Sequence, residues 1–351
     1  MKSLRGMSKR MLSVKKLDVG GGGDERRSTS KAGGTNGRRR QQPPRAGAGR
    51  RPPSGPGAGP PADPDRFVND ICRRLRSNDP SIAQLNVYKY ELGDDRIEQI
   101  ADAIASSSRV VTLDVGRNNL TVVGASALAA GLRANESIHT VWLRENAIGQ
   151  LGVEAISDML ESNQSLTGLS LGRNGINHDG TAALAAALKT NQVLRTLWLY
   201  GNEVGDLGVE FISEALRENN TLVELYLGGN QITEQGAESL CDVLANKNDT
   251  LVKLEMFKNR VSDQGALMFA ELLGKTSALS DLNLRANDIT CELPSCLNND
   301  FHIFIRILLH VCMTRSFRLR LHNSNTYNIY TVRIASLSQI FPNATLIRHH
   351  R

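Results

Sequence analysis

The chain lacks the features that mark secreted and membrane-spanning proteins. Its five cysteines in 351 residues are too few and too unevenly spaced for a disulfide scaffold. The most apolar stretch, residues 301–313, is shorter than a membrane span and is interrupted by His302, Arg306 and His310. The first residues lack the apolar core and the small-residue cleavage site of a secretory signal peptide. We therefore expect a cytoplasmic protein without membrane contact, with the nucleus as a second location.

The sequence also lacks the patterns that organise catalysis or cofactor binding. Its seven histidines are scattered, and residues 20–23 are glycines without the Gly-Lys-Ser/Thr of a phosphate loop. Cys291, Cys296 and Cys312, taken with the two histidines named above, match no zinc-site spacing. We expect no catalytic, cofactor-binding or metal site and no small-molecule substrate.

Charge is distributed unevenly along the chain. Residues 1–64 carry 15 Lys and Arg against 4 Asp and Glu, whereas residues 65–290 carry 20 against 30 and residues 291–351 carry 7 against 2. Phosphate binding needs clustered positive charge. Contact with nucleic acid is therefore expected only through residues 1–64.

Residues 1–64 form a Gly-, Pro- and Arg-rich arm that is predicted to be disordered, because it has little apolar surface to bury. Three interpretations stay open for it. It is a solvated tail, or a nuclear address based on the cluster at 38–51, or an organelle transit peptide. The third rests on residues 1–17, where Leu4, Met7, Met11 and Val14 fall on one helical face among basic residues.

Folding is expected to begin at residues 65–81 with an N-terminal helical cap. Phe67, Ile71 and Leu75 repeat at helical spacing, and Asn78-Asp79-Pro80 ends the pattern. Such a helix would cover the open apolar end of the first unit of a repeat array.

One pattern then recurs through residues 82–290, with apolar residues at positions 1, 4, 6 and 11 and Asn at position 9. The seven complete copies begin at Val110, Ile138, Leu166, Leu194, Leu222, Leu251 and Leu279, in steps of 28 residues with one step of 29. An earlier copy at Ile82 has Tyr90 in place of Asn. The sequence therefore predicts about eight repeats.

A second landmark follows the first. A glycine occurs 14 residues after the start of six copies, at Gly124, Gly152, Gly180, Gly208, Gly236 and Gly265. The apolar period then changes from two to about 3.6, which predicts a strand, a turn and a helix in each unit. A single unit cannot bury its leucines alone, so successive units must stack. The Asn can donate and accept hydrogen bonds at once, and is expected to satisfy main-chain groups in the turn.

These residues resemble the ribonuclease-inhibitor-like class of leucine-rich repeats, in particular the spacing of Asn230 and Ile232 followed by Gly236-Ala237. The resemblance implies an α/β fold: a right-handed, horseshoe-shaped solenoid with parallel strands on the concave face and helices on the convex side. The class includes the ribonuclease inhibitor, the repeat arrays of nucleotide-binding innate-immune receptors, and the activating protein of the GTPase Ran. It implies an intracellular interaction protein.

Strand alternation places positions 3, 5 and 7 of each copy on the concave face. Both tryptophans and four other aromatic residues occupy these positions, and exposed aromatic residues commonly dominate protein interfaces. The predicted partner-binding residues are Trp142, Arg144, Trp198, Tyr200, Tyr226, Glu255 and Phe257. The alternative is that aromatic residues simply favour strands.

Three functions follow. The first is a non-catalytic scaffold that binds another protein on the concave face. The second is a GTPase-activating protein resembling the Ran activator. The residues available for that role are Arg117 with Asn118, Arg144, and Arg173 with Asn174. The sequence lacks the acidic tail of that family. The third is nucleic-acid contact through the arm.

Residues 291–351 break the repeat pattern. Two interpretations stay open for them: a divergent C-terminal cap or an aberrant terminus.

Overall fold

The computed structural model describes residues 61–289 in full and the backbone of residues 317–323 and 326–332. The predictions for the arm before residue 61, for the apolar stretch at 301–313, and for Cys291, Cys296 and Cys312 with the two histidines lie outside the described residues.

Eight short strands and eight helices alternate along residues 64–283. The strands are β1 (Gln84–Asn86), β2 (Thr112–Asp114), β3 (Thr140–Trp142), β4 (Gly168–Ser170), β5 (Thr196–Trp198), β6 (Glu224–Tyr226), β7 (Lys253–Glu255) and β8 (Asp281–Asn283). The helices are α1 (Pro64–Arg76), α2 (Gly93–Ala105), α3 (Val122–Arg133), α4 (Gly149–Ser162), α5 (His178–Thr190), α6 (Gly205–Leu216), α7 (Glu234–Asn246) and α8 (Asp263–Lys275). Each strand is parallel to the next, and the sheet order follows the chain order.

The register of the sheet pairs each strand residue with the residue at the same position of the next repeat. Leu169 pairs with Leu197, and Leu197 pairs with Leu225, so that position 4 forms one column through the array. All three leucines are fully buried, in a core cluster that also contains the inward faces of the helices. The predicted α/β solenoid of stacked units is therefore confirmed.

The N-terminal helix α1 packs its apolar face into the same core. Its N-cap is Asp63, whose carboxylate accepts a hydrogen bond from the main-chain nitrogen of Arg66, and Pro64 occupies the first turn, where no donor is needed. Phe67 contacts Tyr90, with ring centroids 5.3 Å apart. The aromatic residue that replaces Asn in the first repeat thus packs against the helix that precedes it.

The asparagines at position 9 form a ladder of hydrogen bonds to main-chain groups, as expected, and five of the seven are buried. Asn118 is fully buried, and its Nδ2 donates to the carbonyl oxygens of Val87 and Val115, which belong to successive repeats. Its Oδ1 accepts from the main-chain nitrogens of Tyr90 and Leu92. One side chain therefore satisfies main-chain groups in two turns.

A second asparagine ladder runs along the other end of the repeats, after the helices. Asn163 donates through Nδ2 to the carbonyl oxygen of Leu132, and its Oδ1 accepts from the main-chain nitrogens of Ser165 and Leu166. The equivalent residues are Asn135, Asn191, Asn219 and Asn248, all buried. This ladder was not predicted from the sequence.

The regular spacing of the glycines reflects close packing at the helix starts. A Cβ atom on Gly236 would lie 2.6 Å from a methyl carbon of Ile232, the apolar residue at position 11. Asp206 of the preceding helix accepts hydrogen bonds from the main-chain nitrogens of Thr233 and Gly236, and so caps the next helix across the repeat boundary.

Within residues 291–351, two strands pair antiparallel: β9 (Phe317–Asn323) and β10 (Thr326–Val332). No strand was predicted there from the sequence, although Phe317, Leu319 and Leu321 alternate with Arg318, Arg320 and His322. This alternation is the strand signal that was overlooked. Among the described helices, none has the length and apolar character needed to cross a bilayer.

Candidate functional site

One row of side chains crosses all eight strands at position 5. The register aligns Asn86, Asp114, Trp142, Ser170, Trp198, Tyr226, Glu255 and Asn283, in that order. Because the alternate residues of each strand are buried in the core, this row lies on the sheet surface away from it. We call the surface formed by positions 3, 5 and 7 the strand face.

Three aromatic rings contact one another in series in the middle of this row, the first pair tilted and the second stacked, and we call them the aromatic stack. The ring centroids of Trp142 and Trp198 are 4.7 Å apart, and those of Trp198 and Tyr226 are 5.4 Å apart. All three side chains are half-buried, because each covers part of the next. The structure therefore brings three of the predicted partner-binding residues together, and Trp142 and Trp198 are the only tryptophans of the chain.

Strand β4 supplies the floor beneath the two tryptophans. Its residues on the strand face are Gly168, Ser170 and, just beyond the strand, Gly172. A Cβ atom on Gly168 would lie 3.4 Å from the Trp198 ring, and Ser170 has no exposed surface. Alternation alone predicts exposure for Ser170, but the larger neighbours cover it. Ser170 was not among the predicted site residues, although a serine between two tryptophans in register is a visible signal.

Position 7 forms a parallel row in which aromatic rings lie over glycines. Gly172 approaches Tyr200 so closely that a Cβ atom added to the glycine would lie 2.6 Å from the ring. Gly228 approaches Phe257 in the same way, because a Cβ atom added there would lie 2.7 Å from Cζ of the ring. Tyr200 and Phe257 are thus held against the backbone of the preceding strands and are half-buried. Burial raises the pKa of the Tyr200 phenol.

Arg144 is bound within the strand face rather than projecting from it. Its guanidinium forms an ion pair with Asp114 at 3.2 Å, lies over the Tyr88 ring at 4.6 Å, and leaves 13% of its side chain exposed. Burial raises the pKa of the Asp114 carboxyl, and the charge of Arg144 offsets part of that effect. This predicted partner-binding residue therefore offers little free surface.

The far end of the aromatic row is surrounded by charge. The Tyr226 hydroxyl donates to Glu224 Oε2 at 2.8 Å, and burial is the main reason that its pKa is raised. Lys253 Nζ lies 3.1 Å from Glu255 and 2.7 Å from Asp281. Glu255, also a predicted partner-binding residue, is thus paired with Lys253, and the row ends in a mixed-charge rim.

The residues that a GTPase-activating role would require have other roles here. Asn118 and Asn174 are buried in the first ladder, with their amides bonded to main-chain groups. Arg117 lies 3.7 Å from Glu145, and Arg173 lies 4.0 Å from the same carboxylate. Among the described residues there is no cluster of three side chains able to hold a metal ion.

Comparison with known proteins supports the nature of the repeat. Residues 107–129, 190–213, 218–241 and 247–270 match a family model described as leucine-rich repeat, so the chain contains leucine-rich repeats. Actin-binding site 2 of leiomodin-1 is similar over 44% of this chain and 89% of its own, with 23% identity and a TM-score of 0.39. The tropomodulin C-terminal domain of Caenorhabditis elegans is similar over 43% and 92%, with 15% identity and a TM-score of 0.39. No curated protein sequence matches the chain.

Proposed function

We propose that this protein is a non-catalytic intracellular scaffold that binds another protein on the strand face. The observation that carries the proposal is the stack of Trp142, Trp198 and Tyr226, three half-buried aromatic rings in register on neighbouring repeats. Aromatic residues bury large areas at small conformational cost and dominate the energetics of many interfaces. The mixed charges around Lys253 provide the polar rim that usually surrounds such a centre.

The rigidity of the surface supports the same function. Each ring projects from a strand whose neighbours are fixed by the sheet and by the asparagine ladder. Ordering costs on binding are therefore small, because the side chains are already held against one another. We further assign the repeats to the ribonuclease-inhibitor-like class, on the spacing of Asn230, Ile232 and Gly236.

The experiment is affinity capture from a cell extract with three forms of the chain. Trp198→Ala removes the centre of the stack, whereas Phe211→Ala removes an exposed aromatic side chain from α6, away from the strand face. The proposal predicts that the Phe211 variant captures the same proteins as the unchanged chain and that the Trp198 variant loses at least one of them. Identical capture by all three forms, with circular dichroism showing an intact fold, would contradict it.

A further inference from the structure

Position 8 of each repeat, directly after the last residue of the strand face, has a left-handed backbone. Arg117, Glu145 and Arg173 occupy it in three successive repeats, with φ values of 59°, 59° and 57°. This conformation is unfavourable for a residue with a Cβ atom, whereas glycine adopts it freely. Gly201 and Gly229 hold the same position in later repeats, with φ values of 69° and 67°. The fold therefore accepts glycine here, and the three charged side chains are present at a conformational cost, which is common at functional sites.

The two arginines share one carboxylate and are not neutralised by it. Arg117 Nε lies 3.7 Å from Glu145 Oε2, and Arg173 Nη1 lies 4.0 Å from the same oxygen. Both distances exceed that of a hydrogen bond. The exposed fractions of the two arginine side chains are 51% and 63%, against 26% for Glu145. Two accessible positive charges therefore flank one half-buried negative charge.

The two arginines border the strand face. The main-chain nitrogen of Arg117 donates to the carbonyl oxygen of Arg144 at 3.0 Å, and that of Arg173 donates to the carbonyl oxygen of Tyr200 at 2.8 Å. A Cβ atom on Gly201 would lie 2.8 Å from Cγ of Arg173, so the stem of this side chain rests on the bare backbone of the next repeat. A partner seated on the aromatic stack would therefore reach both guanidiniums along the same edge.

The rest of the array is acidic, so this positive charge is local. Residues 65–290 carry 20 Lys and Arg against 30 Asp and Glu. Helices α4, α6 and α7 each carry three carboxylates and no basic residue. Lys89, at position 8 of the first repeat, is exposed and extends the positive row. An acidic partner is therefore repelled by the helices and attracted to this edge of the strand face.

We propose that Arg117 and Arg173, the arginine pair, bind an acidic segment of the partner protein, whose Asp or Glu carboxylates accept hydrogen bonds from the two guanidiniums. This inference rests on the proposed function, because it names the chemistry of the partner that the strand face binds. Planar guanidinium groups suit carboxylates, which they bind through two parallel hydrogen bonds. A nucleic acid fits less well, since its row of phosphates needs clustered cations along its length and the surrounding array is negative.

The test is a titration of the full chain into a fluorescein-labelled octaglutamate peptide, followed by fluorescence anisotropy. Arg117→Gly with Arg173→Gly removes the pair and introduces the residue that later repeats already carry there. Arg109→Ala with Arg133→Ala, two exposed arginines outside the strand face and position 8, removes the same charge as a matched control. Residues 1–64 are present in all forms and contribute equally. We expect the pair variant to bind the peptide about three- to tenfold more weakly than the control.

Thermal unfolding separates binding from structure. Because glycine relieves the left-handed backbone, we expect the pair variant to unfold at or above the midpoint of the unchanged chain. A lower midpoint would mean that the arginines stabilise the turns through Glu145, and would overturn the binding role. Equal affinity for the peptide in the pair variant and the control would overturn it as well.

The same forms titrated into a labelled twelve-nucleotide oligothymidylate distinguish an acidic peptide from a nucleic acid. We expect equal affinities for the pair variant and the control. A loss as large as that seen with octaglutamate would make the pair a general anion site and overturn the proposal. If the pair failed while Trp198→Ala still lost a captured protein, the scaffold function would stand. If the pair held while Trp198→Ala lost nothing, the function assigned to the aromatic stack would fall and the arginine pair would remain.

Discussion

The side chain of Asn230 joins its own repeat to the one before it through the main-chain nitrogen of Asn202, which donates to Asn230 Oδ1 at 3.2 Å. Asn230 Nδ2 donates in turn to the carbonyl oxygens of Leu199 and Leu227, at 3.0 and 2.9 Å. The same arrangement recurs from Asn118 to Asn259, at each repeat with Asn at position 9 except the last. Register between units is thus fixed by buried hydrogen bonds as well as by the column of leucines.

Replacing Asn230 by leucine should strongly destabilise the array. Leucine has a similar volume but leaves the main-chain nitrogens of Asn202 and Val204 without their acceptor. The carbonyl oxygens of Leu199 and Leu227 each lose one of two donors and keep the amides of Asn202 and Asn259. Each unpaired buried group costs about 1–3 kcal/mol, so we expect a loss of about 2 kcal/mol or more in the free energy of unfolding, measured in urea. Asn220→Ala, at an exposed neighbouring asparagine, should change it by about 0.5 kcal/mol or less. Similar small losses in both variants would show that the ladder is not required.

Two glycine-to-alanine substitutions should have opposite effects. Gly131 lies within α3, and a Cβ atom there would lie 2.9 Å from the carbonyl carbon of Ala101 in α2. Backbone cannot move aside cheaply, so Gly131→Ala should lower stability by about 1–3 kcal/mol despite the better helix propensity of alanine. Gly274 lies in α8 with nothing within 4 Å of an added Cβ atom. Gly274→Ala should therefore raise stability by about 0.5–1 kcal/mol.

Thermal unfolding of these two variants beside the unchanged chain provides the measurement. A higher midpoint for Gly131→Ala would mean that α2 and α3 do not pack as closely as the structure has them.

The buried Asp114 should make stability depend on pH in the acid range. Its pKa in the folded chain is raised above the ordinary value of 3.8, chiefly by burial. Between the two values the folded state binds more protons than the unfolded state, so this group's contribution to stability falls as the pH rises. Asp114→Asn removes the titration, and the stability of the unchanged chain relative to this variant should therefore be greater at about pH 3 than at about pH 7.

Urea denaturation of both proteins at the two pH values checks this, since all other titrating groups are shared. A difference that grew in favour of the unchanged chain on going to neutral pH would mean that the ion pair with Arg144 outweighs the burial of the carboxylate.

The array could be predicted from sequence because its determinants repeat. The leucine column, the first asparagine ladder and the glycines before the helices each recur at 28-residue steps, so that pattern alone places them. The structure confirms Leu169, Leu197 and Leu225 in one buried column.

The second ladder recurs as regularly but was missed. Asn135, Asn163 and Asn219 each lie three residues before the start of a copy, and all three are buried and bonded to main-chain groups. Their Ser or Thr residues take part as well: Ser165 Oγ donates to the carbonyl oxygen of Asn135.

The details of the strand face could not be predicted in this way, because they depend on which residues are neighbours across strands. Trp142 and Trp198 meet only because the strand between them carries Ser170 and Gly168. Arg144 was predicted as a contact residue for a partner, and its pairing with Asp114 depends on side-chain geometry that no repeat specifies. Fewer side chains of the strand face are therefore free to contact a partner than the alternation of residues along each strand predicts.

The most direct test of the strand-face proposal uses the emission of the two tryptophans, because both lie in the aromatic row. Acrylamide quenching of the chain would be measured alone and with a saturating amount of a captured partner that lacks tryptophan. The account predicts that the partner lowers the quenching constant, in the unchanged chain and in the Phe211→Ala variant alike. Binding that leaves the quenching constant unchanged would contradict it, since the partner would then occupy another surface.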